Sequence, residues 1–518
     1  MNGAEPTWLE ELEKRRETQL AMGGAQSIAR QHKMGKQTAR ERLDFLLDAG
    51  SFLELGRMTG KGNYDEQGCL TDFQPANAII GSGRINGRKV SVSADDYTIR
   101  AGSSEASNAD KWIYAERKAL AYRMPLIRLV DSAGGSVKLL RQMQATKIPE
   151  YPQWPSVELL DTVPVVGVAM GACAGLGALK VLSSHFSVMV RDTSQVFAAG
   201  PPVVKQAYGI DIHKNDLGGY KVHRKNGLIH NEAKDEADAL SQVKAFLSYL
   251  PRNIYRLPPV LESQDNPGRV EDWLKEAIPE NSRKIYKPRK ILEAVFDLGS
   301  LFEIGKYYGG AVVCVLARLN GHPVGVIAND PKVGGGAMNN AAALKMERFI
   351  KLCDQFHLPV VNFVDQPGNA TGPEAELNGT LMGAIRVGDA LARCRSPWVS
   401  ILIRRCFGLA GSLHGPKENG ALNHRFAWPT ARWGSIPVEG GVMAAYKQEI
   451  LEADDPAARQ REIEAIYHNL GSPFRTAERF GVLDVIDPRE TRGLLCDWIE
   501  DAREVAETEL LRPVFTRR

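Results

Sequence analysis

The sequence predicts an α/β protein built as two tandem domains related by internal duplication. Three observations lead there. The 518 residues exceed the size at which a single core keeps growing. Short apolar runs alternate with longer helical patterns throughout. A shift of 234 positions aligns about fifty residues without a gap: Arg84, Asn86, Gly87, Asp96, Gly102, Lys111, Asp131 and Gly134 fall on Arg318, Asn320, Gly321, Asp330, Gly336, Lys345, Asp365 and Gly368. A period of that length is a whole domain, far beyond the 20 to 50 residues of a solenoid unit.

In chain order, residues 8–47 mix acidic and basic residues with a helical apolar stripe (Leu9, Leu12, Leu20; Leu43, Phe45, Leu46) and read as an exposed helical arm. The N-terminal domain, arm included, spans residues 1–262. Proline, asparagine and charge between 257 and 290 mark the linker, and the C-terminal domain spans 263–518. Paired elements follow: strands Lys89–Ser93 and Pro323–Ala328, helices Ala109–Arg123 and Ala341–Gln355, strands Leu126–Val130 and Val360–Val364, then Pro164–Met170 and Trp398–Ile403. Asp48 to Gly56 mirrors Asp297 to Gly305. Polar helices over Pro456–Gly471 and Glu500–Leu511 close the chain.

Composition is that of a soluble globular protein: 43% hydrophobic, 25% charged, net charge +3. So small a charge balance gives no reason to expect nucleic-acid binding. Seven scattered cysteines without a C-x-x-C pair point to a reducing compartment, and neither they nor any H-E-x-x-H suggests a metal site. The opening residues lack a signal-peptide core. Thr162 to Leu179 is uncharged, yet its valines and glycines read as a buried strand, a turn and a helix rather than a membrane span.

That stretch carries the candidate chemistry. Gly171-Ala-Cys-Ala-Gly-Leu-Gly177 and Arg404-Arg-Cys-Phe-Gly-Leu-Ala-Gly411 each end a strand in a glycine turn that opens a helix. Backbone N–H groups in a helix's first turn lack internal partners. Two adjacent ones form an oxyanion hole, and losing one such donor costs about 3 kcal/mol of transition-state stabilisation. The bland alternative, glycine kept for tight helix–sheet packing, weakens when the turn recurs at matching places. The sequence has no G-x-S-x-G elbow and no phosphate loop. His414 follows the second turn and reads as a pocket residue rather than a base.

The stretch Gly23-Gly24 through Gln31-His32-Lys-Met-Gly35-Lys36 to Arg42-Leu43 resembles the opening signature of biotin-dependent acyl-CoA carboxylase β subunits, the propionyl-/methylcrotonyl-CoA carboxylase carboxyltransferases. Asp131-Ser132, Gly200-Pro201-Pro202, Asp216-Leu-Gly-Gly219, Asp365-Gln-Pro367-Gly368 and Ala427-Trp428-Pro429-Thr430-Ala431 extend the likeness from about residue 20 to beyond 480. The resemblance implies two crotonase-like domains of ββα superhelix type. It implies transfer of a carboxyl group from carboxybiotin to an acyl-CoA through a thioester enolate. It places the thioester hole on the amides of Leu409 and Ala410 and the biotin hole on Gly175 and Leu176. Gly134, Gly135, Gly368 and Gly408 are expected at the cofactor, and Gly102, Ser103, Ala174 and Ser412 at the substrate. The implied partners are a biotin carboxylase/biotin carboxyl carrier α subunit and further copies of the chain, at least a dimer and usually a hexamer. Biotin is carried by the partner, since Lys345 sits in a helical Ala343-Leu-Lys345-Met346 and not in an acceptor Met-Lys-Met. The compartment implied is the bacterial cytosol, or the mitochondrial matrix of a eukaryote. Two other readings use the same residues: the carboxyltransferase subunit of a sodium-pumping acyl-CoA decarboxylase, and a non-catalytic acyl-CoA-binding scaffold. The family pattern is departed from where Leu176 and Leu409 replace a second glycine, where Ser412 stands at an aspartate, and where Ser132-Ala-Gly-Gly-Ser136 lacks an arginine.

Overall fold

A computed structural model describes residues 7–511 apart from 147, 149, 282–283 and 417–422. The chain divides into two compact units, the first ending at Ile254 and the second beginning at Tyr255. The boundary precedes the one expected at 262 because the intervening residues already belong to the second unit. Leu261 N–H donates to Gly321 O, and Arg318 and Arg503 donate to the carbonyls of Pro259 and Pro258.

Each unit contains an eight-stranded sheet with the same strand order. In the first, β1 (Leu53–Leu55), β2 (Ala78–Ile85) and β3 (Arg88–Asp95) pair antiparallel. Then β4 (Leu126–Ser132), β5 (Val165–Ala174), β6 (Phe186–Val190) and β8 (Asn231–Ala233) continue in parallel, while β7 (Gln195–Phe197) pairs the far end of β5. The second unit repeats this with β9 (Phe302–Ile304), β10 (Val312–Leu319), β11 (His322–Asn329), β12 (Val360–Gln366), β13 (Trp398–Phe407), β14 (Asn423–Ala427), β15 (Arg432–Gly434) and β16 (Asp484–Val485). Thr162 to Leu179 is therefore a central strand and its turn. Among the described residues no helix is long and apolar enough to cross a membrane.

The duplication reaches individual hydrogen bonds. Asn86-Gly87 and Asn320-Gly321 turn the β2–β3 and β10–β11 hairpins with positive φ at both residues, as a two-residue turn of this kind requires. Asp48 accepts from the Asn86 and Gly87 amides at 3.0 and 2.8 Å, and Asp297 from those of Asn320 and Gly321 at the same distances.

In both units the long central strand changes neighbours partway along. Val166–Ala169 of β5 pairs with β6, a register shift follows, and Ala172–Ala174 pairs with β7. In the second unit β13 pairs with β14 at Trp398–Leu402 and with β15 at Arg405–Phe407. A wholly buried aspartate, Asp131 or Asp365, stands beside each shift.

The cations that balance Asp131 come from the arm, which corrects the reading of residues 8–47 as exposed. Thr7–Leu20 and Ala25–Lys33 are both largely solvated, with Gln19 and Gln31 their only buried residues, whereas helix Ala39–Leu46 packs into the first unit with Leu43 and Leu46 buried. Lys36 Nζ lies 2.7 Å from Asp131, and the Arg42 guanidinium bridges Asp131 at 3.2 Å and Glu236 at 2.6 Å. Gly171 makes room for this cluster, since a Cβ there would sit 2.0 Å from Asp131 Oδ1. Removing one partner of a buried ion pair leaves uncompensated charge. Arg42→Met should therefore cost about 3 kcal/mol or more, read as a lower denaturant midpoint. A variant as stable as the parent would show that the cluster contributes nothing.

Candidate functional site

The first turn is set by Gly175, whose φ of 56° and ψ of −113° no residue with a Cβ adopts without strain. Its N–H donates to Phe197 O at 3.2 Å, as the next rung beyond the β5–β7 pairing. Gly175 is thus not an available oxyanion donor, which corrects the expected Gly175/Leu176 pair. No described residue accepts the N–H of Leu176 or Gly177, the first two residues of helix Leu176–Leu182. The free pair lies one position further along. This brings it into register with the second turn, where Gly408 has φ 63° and the amides of Leu409 and Ala410 likewise meet no described acceptor.

Two further segments converge on the first turn. Gly134 packs on Ala174, 3.0 Å from its carbonyl oxygen were a Cβ present, and its own carbonyl accepts from Ser104 N–H at 3.0 Å. Gly102 presses on the end of β4, where a Cβ would meet Asp131 O at 2.3 Å. Ser132 Oγ donates to Gly102 O at 2.7 Å. Ser103 is buried in this loop and its hydroxyl has no partner among the described residues, so it lines the loop interior. Gly135 has open space where a side chain would stand.

The second turn has the same surroundings. Gly368, at φ 134°, accepts from Met338 N–H at 3.0 Å and from Gln366 Nε2 at 2.7 Å. Ser412 Oγ donates to Leu409 O at 2.7 Å. The loop preceding Gly336 differs between the units. Gly334 and Gly335 occupy the left-handed region without strain, whereas their counterparts Arg100 (φ 51°) and Ala101 (φ 53°) hold it with side chains.

Arg405 is the residue that motif reading missed. Its Nε donates to Asp365 Oδ1 at 2.6 Å and its Nη2 to Gly335 O at 2.7 Å, tying loop, β12 and β13 together three residues before the turn. The signal was present: an Arg404-Arg405 dipeptide inside an otherwise apolar strand. The matching positions of β5 are Gly171 and Ala172, where the arm supplies the cations instead.

His414 follows the second turn in the core. Asn362 Nδ2 donates to its Nδ1 at 2.9 Å, which leaves the ring proton on Nε2. Burial, with Arg425 nearby, pushes its pKa down to about 3, so at neutral pH it is an uncharged ring and a poor base. The carboxyl transferase domain family model matches residues 30–512. The chain belongs to that family.

It is similar to the carboxyltransferase subunit of propionyl-CoA carboxylase from Haloferax mediterranei, at 35% identity over 94% of each chain. It is 33% identical to the mitochondrial propionyl-CoA carboxylase beta chain of Homo sapiens, over 94% of this chain and 89% of that one. Methylmalonyl-CoA decarboxylase subunit alpha of Veillonella parvula is 30% identical over 91% of each. Among solved structures, the transcarboxylase 12S hexamer with methylmalonyl-coenzyme A and methylmalonic acid bound superposes with a TM-score of 0.86 at 28% identity, covering 97% of this chain and 96% of that one. A single-chain, multi-domain long-chain acyl-CoA carboxylase matches with a TM-score of 0.81 at 26% identity, over 96% of this chain and 49% of its own. The chain is accordingly an enzyme of the biotin-dependent acyl-CoA carboxyltransferase class, with two crotonase-like domains.

The His414 environment gives a pH test. Below pH 6.5 the unfolded chain takes up a proton on this ring that the native state refuses until about pH 3. Native stability therefore falls with pH across that window, by up to about 1.4 kcal/mol per unit. His414→Gln should flatten the fall between pH 6.5 and 5 in parallel denaturation series; identical slopes would contradict the burial argument.

Proposed function

We propose that this carboxyltransferase moves a carboxyl group from carboxylated biotin, held on a separate α subunit, to the carbon beside an acyl-CoA carbonyl. One observation carries the assignment of residues: paired main-chain N–H groups with no acceptor among the described residues, at the same place in both domains. Deprotonating the acyl group pushes charge onto the thioester oxygen, where two fixed donors stabilise it without reorganisation. In this reading the Leu409 and Ala410 amides hold that oxygen, and those of Leu176 and Gly177 hold the ureido oxygen of biotin.

Biotin, when bound, supplies the carboxyl group and then the base that accepts the substrate proton. The chain's own groups suit that division. Asp131 and Asp365 are locked in ion pairs, and His414 is a poor base. Gly175 and Gly408 fix the donor positions, with Gly134 and Gly368 packed close behind. Leu176 and Leu409, in place of smaller residues, narrow the mouth of each turn while leaving the amides in place.

The relatives support a biotin-bearing α subunit as partner and a ring of six copies as assembly, since the transcarboxylase 12S core is described as a hexamer. A cytosolic location fits the unpaired cysteines. The decarboxylase reading runs the same half-reaction backwards and is less favoured, with identity to the Veillonella parvula subunit at 30% against 35% for the carboxylase subunit. The non-catalytic reading is disfavoured by intact donor pairs in both turns.

The test is carboxylation of an acyl-CoA panel by the complex reconstituted with a biotinylated α subunit, ATP and bicarbonate. Ala410→Pro deletes one donor at a first-turn position that tolerates proline. It should lower turnover about a hundredfold with assembly unchanged. Gly177→Pro should act similarly in the first domain. Normal turnover in a correctly assembled Ala410→Pro variant would take Ala410 out of the site, and no turnover from the parent with any acyl-CoA would favour the scaffold.

A further inference from the structure

Beside helix Gly408–Gly411 the second domain holds a cavity of 330 Å³. Ser400 and Arg425 line it, and together with Asn362 behind them they form a row set by strand register. Asn362 on β12 pairs with Ser400 on β13, and Ser400 pairs with Arg425 on β14, so all three side chains leave the same face of the sheet. His414 lies over the row, bonded to Asn362 through Nδ1. Val364, Leu402, Trp433 and Val482 add apolar walls.

Polar capacity in this row is left over. Asn362 Oδ1 and His414 Nε2 have no hydrogen-bond partner among the described residues, although Asn362 is 0% and His414 4% exposed. A buried polar group left without a partner is costly, so each calls for a partner from outside. Arg425, whose side of the cavity opens to solvent, alone carries a charge among the described lining residues. Ser400 Oγ donates to His414 O and Ser412 Oγ to Leu409 O, so these hydroxyls can only accept, and the cavity offers one cation and one free N–H donor beside an apolar wall.

We infer that this cavity receives the far end of the acyl chain and selects acyl groups ending in a carboxylate over plain alkyl chains. The inference rests on Leu409 and Ala410 serving the thioester oxygen, because only then does the acyl chain start at the cavity. An apolar wall accommodates the methylenes, while the Arg425 guanidinium meets the terminal carboxylate in a charge-assisted contact. Alkyl chains of equal length would desolvate these polar groups without pairing them. That is the situation in which a site built for hydrogen bonding rejects an analogue most strongly.

The experiment compares kcat/KM for glutaryl-CoA and valeryl-CoA, and for succinyl-CoA and butyryl-CoA, in the reconstituted complex. The parent should favour the carboxylate member of each pair, by roughly a hundredfold. Arg425→Gln should lower that ratio at least tenfold, and Arg425→Lys should recover part of it, which a purely structural role would not produce. A parent that prefers the alkyl member, with an unchanged ratio in Arg425→Gln, would overturn the inference and leave the carboxyltransferase reading standing. A variant that instead raises the KM for free biotin in carboxyl exchange would also overturn it, by assigning the cavity to the biotin side. Loss of activity toward every acyl-CoA in the parent would remove the functional reading itself.

Discussion

A buried carboxylate at the point where the central strand changes partners is the constraint on which both domains depend. A parallel strand that leaves one neighbour for another loses regular pairing at the shift, and the glycine turn follows within a few residues. Asp131 and Asp365 stand at that place, wholly buried. Each needs positive charge close by, because an isolated carboxylate in a protein interior costs several kcal/mol. Meeting that need fixes the strand ends, and the strand ends fix the amides.

The two domains meet it differently. In the second, Arg405 comes from the strand itself and also clasps the glycine loop through Gly335 O. In the first, the strand carries only Gly171 and Ala172, and Lys36 and Arg42 enter from a loop and a helix of the arm that precedes the sheet. Duplication preserved the fold and the donor geometry while the source of charge diverged. The loops diverged as well: three glycines relax Gly334–Gly336, whereas Arg100 and Ala101 are held in a conformation that costs about 1–3 kcal/mol each.

Much of this was legible in the sequence because the signals were periodic or repeated. Strand and helix positions followed from apolar alternation, the domain pair from the 234-residue offset, and the two turns from glycines at matching places. Three features were not. Whether Gly175 or Gly177 offers its amide depends on a backbone bond to Phe197, set by how β7 docks and invisible in residue type. The arm looked solvated because its basic residues carry no mark of the buried acids they meet at Asp131 and Glu236. The Asn362, Ser400 and Arg425 row exists only through strand register across three strands widely separated in the chain.

The arm has a consequence for the order in which the protein can fold. Arg42 is 89 residues from Asp131 and 194 from Glu236, so the first domain closes its central charge cluster through long-range contacts. During synthesis the early helices leave the ribosome with their cations long before Glu236 follows, and that domain stays unfinished until nearly all of it has been made. The second domain draws Arg405 from a site 40 residues from Asp365. Its corresponding centre can close over a much shorter stretch of chain, so the later-made half has the more local route to its native state.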